Sequence, residues 1–266
     1  LAANFKGLEF IFDNKSSDFY GLKLYNSDTG SSEGDAGSKV EILEKTILRK
    51  PKTILFGTSQ NTQLEFDLII GSTSEVDAQT RSAISRWLLG RSSYLPLSIV
   101  QEDMLSTIYY VIFTEMKPVF YGNLNYAFVA HAKCNAPWAY MSPKTSTYNY
   151  SGSSIVSTTI NYNNLSDNND YTDTIVSFTM NGIGNYFTIT NVTDNNRVFS
   201  FTNILPYETI TVNGNTLEVY SSTGLKRVDS FNKGFVRFVP GINVLQIQGG
   251  INQLSFTTEF AVKAGG

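Results

Sequence analysis

The chain has 266 residues, a net charge of −3 at pH 7, 41% hydrophobic residues and 13% aromatic ones, mostly Phe and Tyr. With no Lys/Arg block, that balance excludes a protein built to grip nucleic acid or an anionic membrane. The single cysteine, Cys134, excludes an internal disulfide framework and a cysteine-based metal cluster. No apolar run approaches the ~18 residues of a membrane span and Leu1–Asn4 begins no signal peptide, so a soluble chain without membrane insertion is expected.

Leu8, Phe10 and Phe12 alternate with Glu9, Ile11 and Asp13, the period of two that a half-buried strand requires. Asp13 to Ser16 turns the chain, and Phe19 to Tyr25 continues it. The next stretch, Asn26-Ser27-Asp28-Thr29-Gly30-Ser31-Ser32-Glu33-Gly34-Asp35-Ala36-Gly37-Ser38, has almost nothing to bury and is expected as an exposed loop or arm. Lys39 to Leu48 and Leu64 to Ile70 read as strands, the second with Leu64, Phe66, Leu68 and Ile70 on one face.

A helix follows. Val76, Thr80, Ala83, Ile84, Trp87 and Leu88 form one stripe at helical spacing. Ser74 with Asp77 three residues on predicts a capping-box start, and Gly90 predicts a left-handed C-cap. Glu75 and Asp77 stand at the positive end and Arg86 near the negative one, as the helix dipole prefers. Tyr94 to Val100 and Thr107 to Met116 read as further strands. The second has apolar residues on both faces and is expected to be covered on both sides, with the helix plugging one face of the sheet.

From Tyr126 the alternation is clean: Phe128, Ala130, Ala132 and Cys134 face one way, Ala127, Val129, His131 and Lys133 the other. Asn135-Ala136-Pro137 ends this strand, because proline cannot donate to a ladder. Beyond Tyr140 the composition turns to Ser, Thr, Pro, Lys, Gly and Asn, so residues 141–154 are read as a linker between domains 1–140 and 155–266. The second domain reads as strands only, spaced by turn signals. Asn213-Gly214 predicts a two-residue hairpin, and Phe235 to Phe260 a final meander. The expected class is all-β: two β-sandwich domains, the first with one packed helix, the second of jelly-roll type.

Chemistry is sparse. His131, the one histidine, falls on the strand face opposite Cys134, so the two are not expected to pair as imidazole and thiol. Glu115, Glu102 and Asp103 read as solvated turn charges. The loop Asp167-Asn168-Asn169-Asp170-Tyr171-Thr172-Asp173 invites a calcium reading, but Tyr171 breaks the ligand alternation and no glycine or distal glutamate follows. No catalytic constellation, cofactor or metal site is expected, and the chain is not expected to be an enzyme. Pro137, Trp138 and Tyr140 are placed at the seam between the domains, with Trp138 as an aromatic plug; the functional alternative for the indole is a subunit or sugar contact.

Several segments in order resemble the distal tail protein of long-tailed, non-contractile bacteriophages. They are Phe10-Ile11-Phe12, Ser17-Asp18-Phe19 with Gly21, Ile54-Leu55-Phe56-Gly57, Leu64-Glu65-Phe66 and the helix end Ile84-Ser85-Arg86-Trp87-Leu88. Tyr94-Leu95-Pro96-Leu97, Tyr109-Tyr110-Val111-Ile112 and Cys134-Asn135-Ala136-Pro137-Trp138-Ala139-Tyr140 complete the series. In the second half, Phe238-Val239-Pro240-Gly241-Ile242-Asn243-Val244-Leu245 resembles the family's galectin-like sandwich.

The resemblance implies a structural virion protein, made in the host bacterial cytoplasm and located at the phage tail tip. It implies a homohexameric ring that joins the tail tube protein to the tip hub with its tail-associated lysin and to receptor-binding protein. The first domain would line the ring and residues 26–38 would serve as an intersubunit arm. A weakly acidic protein suits a conduit that lets DNA pass without holding it. The alternative is a carbohydrate-binding module recognising host-surface glycans through the C-terminal sandwich, with Tyr171, Tyr186, Tyr207 and Tyr220 as stacking candidates. A two-carboxylate glycosidase would need a cleft, to which nothing in the residues points.

Overall fold

The structure is a computed structural model that describes residues 8–25, 41–48, 52–59, 63–102, 106–150 and 154–263. The chain divides into two compact units, one Leu1–Tyr140 together with Lys263–Gly266, the other Met141–Val262. The first runs β1 (Glu9–Phe12), β2 (Lys15–Ser16), a 3-10 turn (Ser17–Tyr20), β3 (Leu22–Tyr25), β4 (Glu41–Lys45) and β5 (Ile54–Ser59). It continues through β6 (Glu65–Ser72), α1 (Ala78–Leu89), β7 (Leu95–Val100), β8 (Thr107–Tyr121), β9 (Leu124–Cys134) and β10 (Ala139–Met141).

The main sheet of this unit is ordered β2-β1-β7-β8-β9-β6-β3, antiparallel throughout. Its two ends approach each other, since Leu24 N donates to the Leu8 carbonyl at 2.8 Å. The sheet is therefore rolled, and its two layers are halves of one surface. The inward residues are those the alternation names: Phe10 and Phe12, Leu22 and Leu24, Phe66, Leu68 and Ile70, Phe128, Ala130, Ala132 and Cys134. The alanines have a packing reason. Ala132 lies across from Phe66 on β6 and Phe113 on β8, and two large rings leave room for only a methyl between them.

Helix α1 adds Ile84, Trp87 and Leu88 to the same core. The Trp87 indole stacks on Phe10 at 5.6 Å with 8° between the planes, and leans against Phe12 and Tyr20. Its Nε1 donates to the Phe12 carbonyl at 3.3 Å. Two cap expectations need correction. Asp77, not Ser74, is the N-cap, its carboxylate accepting from Thr80 N at 2.7 Å; Val76 is buried ahead of the helix and holds the chain there. Gly90 closes the helix at φ −80°, outside the left-handed region, with its N–H donating to the Arg86 carbonyl.

Strand β8 has Tyr109, Val111 and Phe113 buried, while Ile108, Tyr110 and Ile112 on the other face are only half-covered, so the expectation of cover on both sides holds for one face alone. Past an irregularity between Phe113 and Glu115 the strand continues to Tyr121, well beyond Met116, paired with β9 as a long hairpin.

The second unit comprises β11 (Lys144–Asn149), β12 (Val156–Asn164), β13 (Thr172–Asp173), β14 (Ile175–Met180), β15 (Phe187–Asn191) and β16 (Arg197–Phe201). Then come β17 (Thr209–Asn213), β18 (Glu218–Ser221), β19 (Arg237–Phe238), β20 (Gly241–Gly249), β21 (Ile251–Thr258) and β22 (Ala261–Val262). Sheets β11-β21-β14-β17-β18 and β12-β20-β15-β16 face each other across one aromatic core. Phe178, Phe187, Phe199, Phe201 and Phe231 form a continuous run of ring contacts in it.

Three local readings change here. The stretch read as a linker contains β11, which pairs along its length with β21 from Lys144↔Thr258 to Asn149↔Gln253; alternate Ser/Thr side chains still make a strand when the partner strand supplies the apolar face. The β17–β18 connection spans four residues, not two, because Asn213 pairs with Glu218 and its side chain accepts from the Asn215 and Thr216 amides. The final meander expected from Phe235 opens with a strand of only two residues, Arg237–Phe238. Asn243, fully buried, explains the Pro240-Gly241 turn: its amide oxygen accepts from Val239 N and its nitrogen donates to the Val239 and Gly241 carbonyls.

Buried Glu208 is held by Arg227, with Nε–Oε1 at 2.8 Å and Nη2–Oε2 at 2.5 Å, and by Ser221 and Leu205 N. Burial alone would raise its pKa; the Arg227 guanidinium and the other donors overrule that and hold it at about 2. Its pKa in the folded protein thus lies below the unfolded value of 4.5. The resulting stability is present above pH 4.5 and is lost as pH falls towards 2. Arg227→Ala is expected to destabilise the second unit by ~3–5 kcal/mol through an uncompensated buried carboxylate. Denaturant titrations at pH 7 and pH 3 check both statements, and a variant whose deficit is the same at both values would count against the ion pair. Trp87→Ala is expected to cost the first unit ~3–5 kcal/mol through the cavity it opens, read as a lower denaturant midpoint. An unchanged midpoint would mean that α1 does not seal the rolled sheet.

Candidate functional site

Side chains able to do chemistry are dispersed. Cys134 is fully buried and burial pushes its thiol up to about 12, so it stays protonated at any physiological pH. His131 lies on the opposite face of β9, its Nδ1 2.7 Å from Asp67 Oδ1 and its Nε2 3.7 Å from Glu65 Oε2, with Lys133 bound to Glu65 at 2.8 Å. This is a cross-strand ladder of charges. Glu115 pairs with Lys117 at 2.8 Å; Asp103 lies outside the described residues. The 167–173 loop is organised by hydrogen bonds: Asn164 Nδ2 donates to Thr172 Oγ1, and Asn164 Oδ1 accepts from Ser166 N. Burial raises the Asp173 carboxyl, against the pull of Arg237. Among the described residues, no group of three His, Cys, Asp or Glu side chains could hold a metal ion.

The four tyrosines considered for sugar stacking are not in ring contact with one another. Tyr171 has one face covered by the Arg237 guanidinium at 3.5 Å. Tyr220 donates its hydroxyl to Glu218, Tyr186 flanks Gly184, and Tyr207 leans over Gly182.

What the first unit does present is apolar surface on two hairpins. The first, β4–β5, is a separate two-stranded sheet, paired from Glu41↔Ser59 to Lys45↔Ile54. Ile42, Leu43, Ile47, Leu48, Ile54, Leu55 and Phe56 are all exposed, Phe56 at 70% and Leu48 at 88%. The second is the tip of β8–β9, where Gly122 takes the left-handed conformation of the turn and Val119, Phe120, Tyr121 and Leu124 are exposed. Isolated exposed apolar residues are ordinary; clusters of this kind mark interaction surfaces. Sequence reading missed both, because strand periodicity does not reveal whether either face is covered. The signal for the first was present in the apolar run Ile54-Leu55-Phe56.

A third feature is an open groove of about 720 Å³ between α1 and β8, lined by Arg81, Ser82, Ser85, Arg86, Met116 and Pro118, among others. The expected arm, residues 26–38, lies outside the described residues. Of the residues assigned to a seam, Pro137, Trp138 and Tyr140 are each half-buried. Tyr140 packs edge-on against Tyr110 at 5.5 Å, and the Trp138 Nε1 is buried without a hydrogen-bond partner.

The described residues thus form a rolled sheet plugged by one helix and a separate sandwich, with exposed apolar side chains clustered on two hairpins. Residues 5–136 match the family described as phage tail protein N-terminal domain, and residues 138–258 match the phage tail C-terminal domain. The chain belongs to this family of phage tail proteins. Its fold is similar to that of the SPP1 Dit protein (gp 19.1), with a TM-score of 0.68, 13% identity, and 96% of this chain and 100% of that chain covered. A chain of the phage P2 baseplate, in its activated conformation with Ca, is also similar: TM-score 0.60, 9% identity, 98% of this chain and 100% of that chain covered. At these identities the likeness is one of fold. No curated protein matches the chain in sequence.

With Cys134 sealed in the core, a native sample is expected not to react with a thiol reagent such as dithionitrobenzoate, and to release one equivalent on unfolding in denaturant. Rapid labelling of native protein would mean that the β9 face is open.

Proposed function

We propose that this chain is a distal tail protein, a homohexameric ring at the tail tip that joins the tail tube protein to the hub and its receptor-binding parts, without enzymatic activity. The observation that carries this reading is the β4–β5 hairpin, which leaves seven large apolar side chains exposed in one chain. A hairpin of this composition is stable in water only when another surface covers it. A neighbouring copy is the economical cover, because a head-to-tail contact repeated around a closed ring buries every hairpin.

Family membership and the fold shared with SPP1 Dit, described as a paradigm of the hub adsorption apparatus in phages infecting Gram-positive bacteria, support the same reading. The first unit would form the ring, with residues 26–38 extending the hairpin as an intersubunit arm. The second would present receptor-binding parts or, in weaker association, a host glycan. A net charge of −3 suits passage of DNA through the ring. Pro137, Trp138 and Tyr140 would brace the chain where it leaves the first unit, so Trp138→Ala should speed protease cleavage in 141–154. Equal cleavage rates in the two proteins would remove Trp138 from that role.

Mass-resolved chromatography with negative-stain imaging tests the ring. Six-fold rings of about 177 kDa are expected from chains of 29.5 kDa. Leu43→Asp with Phe56→Asp is expected to abolish them while leaving the melting temperature within about 2 °C, since surface substitutions change stability by roughly 0.5 kcal/mol or less. Rings that persist in this variant would show that the hairpin is not the subunit contact.

A further inference from the structure

The groove between α1 and β8 is a cationic recess that the reading above leaves unused. Ala78, Arg81, Ser82, Ser85, Arg86 and Leu89 recur at helical spacing along the outer side of α1, and Met116 and Pro118 of β8 form the opposite wall. No acidic residue lines it. The core-facing stripe of the same helix is Ile84, Trp87 and Leu88, so Arg81, Ser82, Ser85 and Arg86 lie outside it, while Leu89 and Met116 of the groove also pack against the core. The two arginine charges are not paired in an ion pair among the described residues. Arg91, Arg227 and Arg237 each meet a carboxylate within 2.8 Å, and Arg197 donates to the Phe235 carbonyl. Arg81 and Arg86 have no such partner among the described residues. Two guanidiniums flanked by two hydroxyls above an apolar floor suit an extended peptide that carries carboxylates.

The chain itself contains such a peptide. Residues 26–38 hold Asp28, Glu33 and Asp35, no Lys or Arg, and otherwise mainly Gly, Ser and Thr. The segment joins the end of β3 at Tyr25 to the hairpin that begins at Glu41. Fully extended, the connection could span about 50 Å, ample for a groove as long as the twelve-residue helix, about 18 Å. In sequence it leads directly into the apolar hairpin that the ring reading packs against a neighbouring subunit. We propose that the acidic segment 26–38 of one copy binds in the Arg81/Arg86 groove of the next, so that charge pairing and the apolar hairpin grip the same neighbour from one continuous arm. This inference rests on the ring reading and assigns the arm its receptor site.

The test is a cysteine pair in the full-length chain, S32C in the segment and S82C in the groove, the native Cys134 being buried. Mild oxidation is expected to give a ladder of covalent multimers on non-reducing gels, absent from either single variant. Adding R81E and R86E is expected to lower the ladder about tenfold, and further adding D28K, E33K and D35K to restore it. Rings seen by negative stain with no ladder would overturn the groove assignment and leave the ring reading standing. Internally linked monomers would place the segment in the groove of its own chain and overturn the assignment to a neighbour. A ladder indifferent to the charge reversals would overturn the role of the arginines, and monomers without any ladder would remove both readings.

Discussion

A single antiparallel sheet rolled on itself needs a cover where its strands splay, and here the cover is one indole. Trp87 stacks on Phe10, leans on Phe12 and Tyr20, and donates its Nε1–H to the Phe12 carbonyl. That last bond matters as much as the stacking, because a buried indole nitrogen without a partner would oppose the burial of the ring. The helix is oriented by this one side chain. With Trp87, Ile84 and Leu88 turned inward, Arg81, Ser82, Ser85 and Arg86 are necessarily turned out towards β8, and the groove follows from the seal.

The second unit uses a different device. Its core is a run of phenylalanines, which is strong but not directional. Register is set by buried polar groups with few alternatives: Glu208 with Arg227, Asn243 at the Pro240-Gly241 turn, Asn191 donating to Asn243, and Asn164 across the 167–173 loop. Each would be costly if a strand slipped by one residue, since a donor or acceptor would then be buried alone. The many asparagines that look like turn composition in the sequence are, at these positions, fasteners between loops.

Among the described residues the groups able to do chemistry are dispersed, and the first unit carries exposed apolar side chains on two hairpins. That distribution is the physical basis for reading the molecule as a component. The exposed apolar side chains of β4–β5 and of the β8–β9 tip lie on elements accessible to a neighbour.

The alternation of β1, β6 and β9 and the stripe of α1 were legible from the residues alone, because a period of two or of 3.6 is written locally and needs no partner to be read. The opposed placement of His131 and Cys134 was legible for the same reason. The order of short motifs along the chain pointed to the family before any fold was known. Tertiary structure alone decided the rest. Ser74 lost the cap to Asp77 because Val76 had to be buried first, residues 144–149 became a strand because β21 offered an edge, and Asn213 opened a four-residue turn because its side chain took two amides. Which apolar faces remain exposed, and which arginines remain unpaired, depends on what packs against them, a property of the whole fold that no local pattern contains.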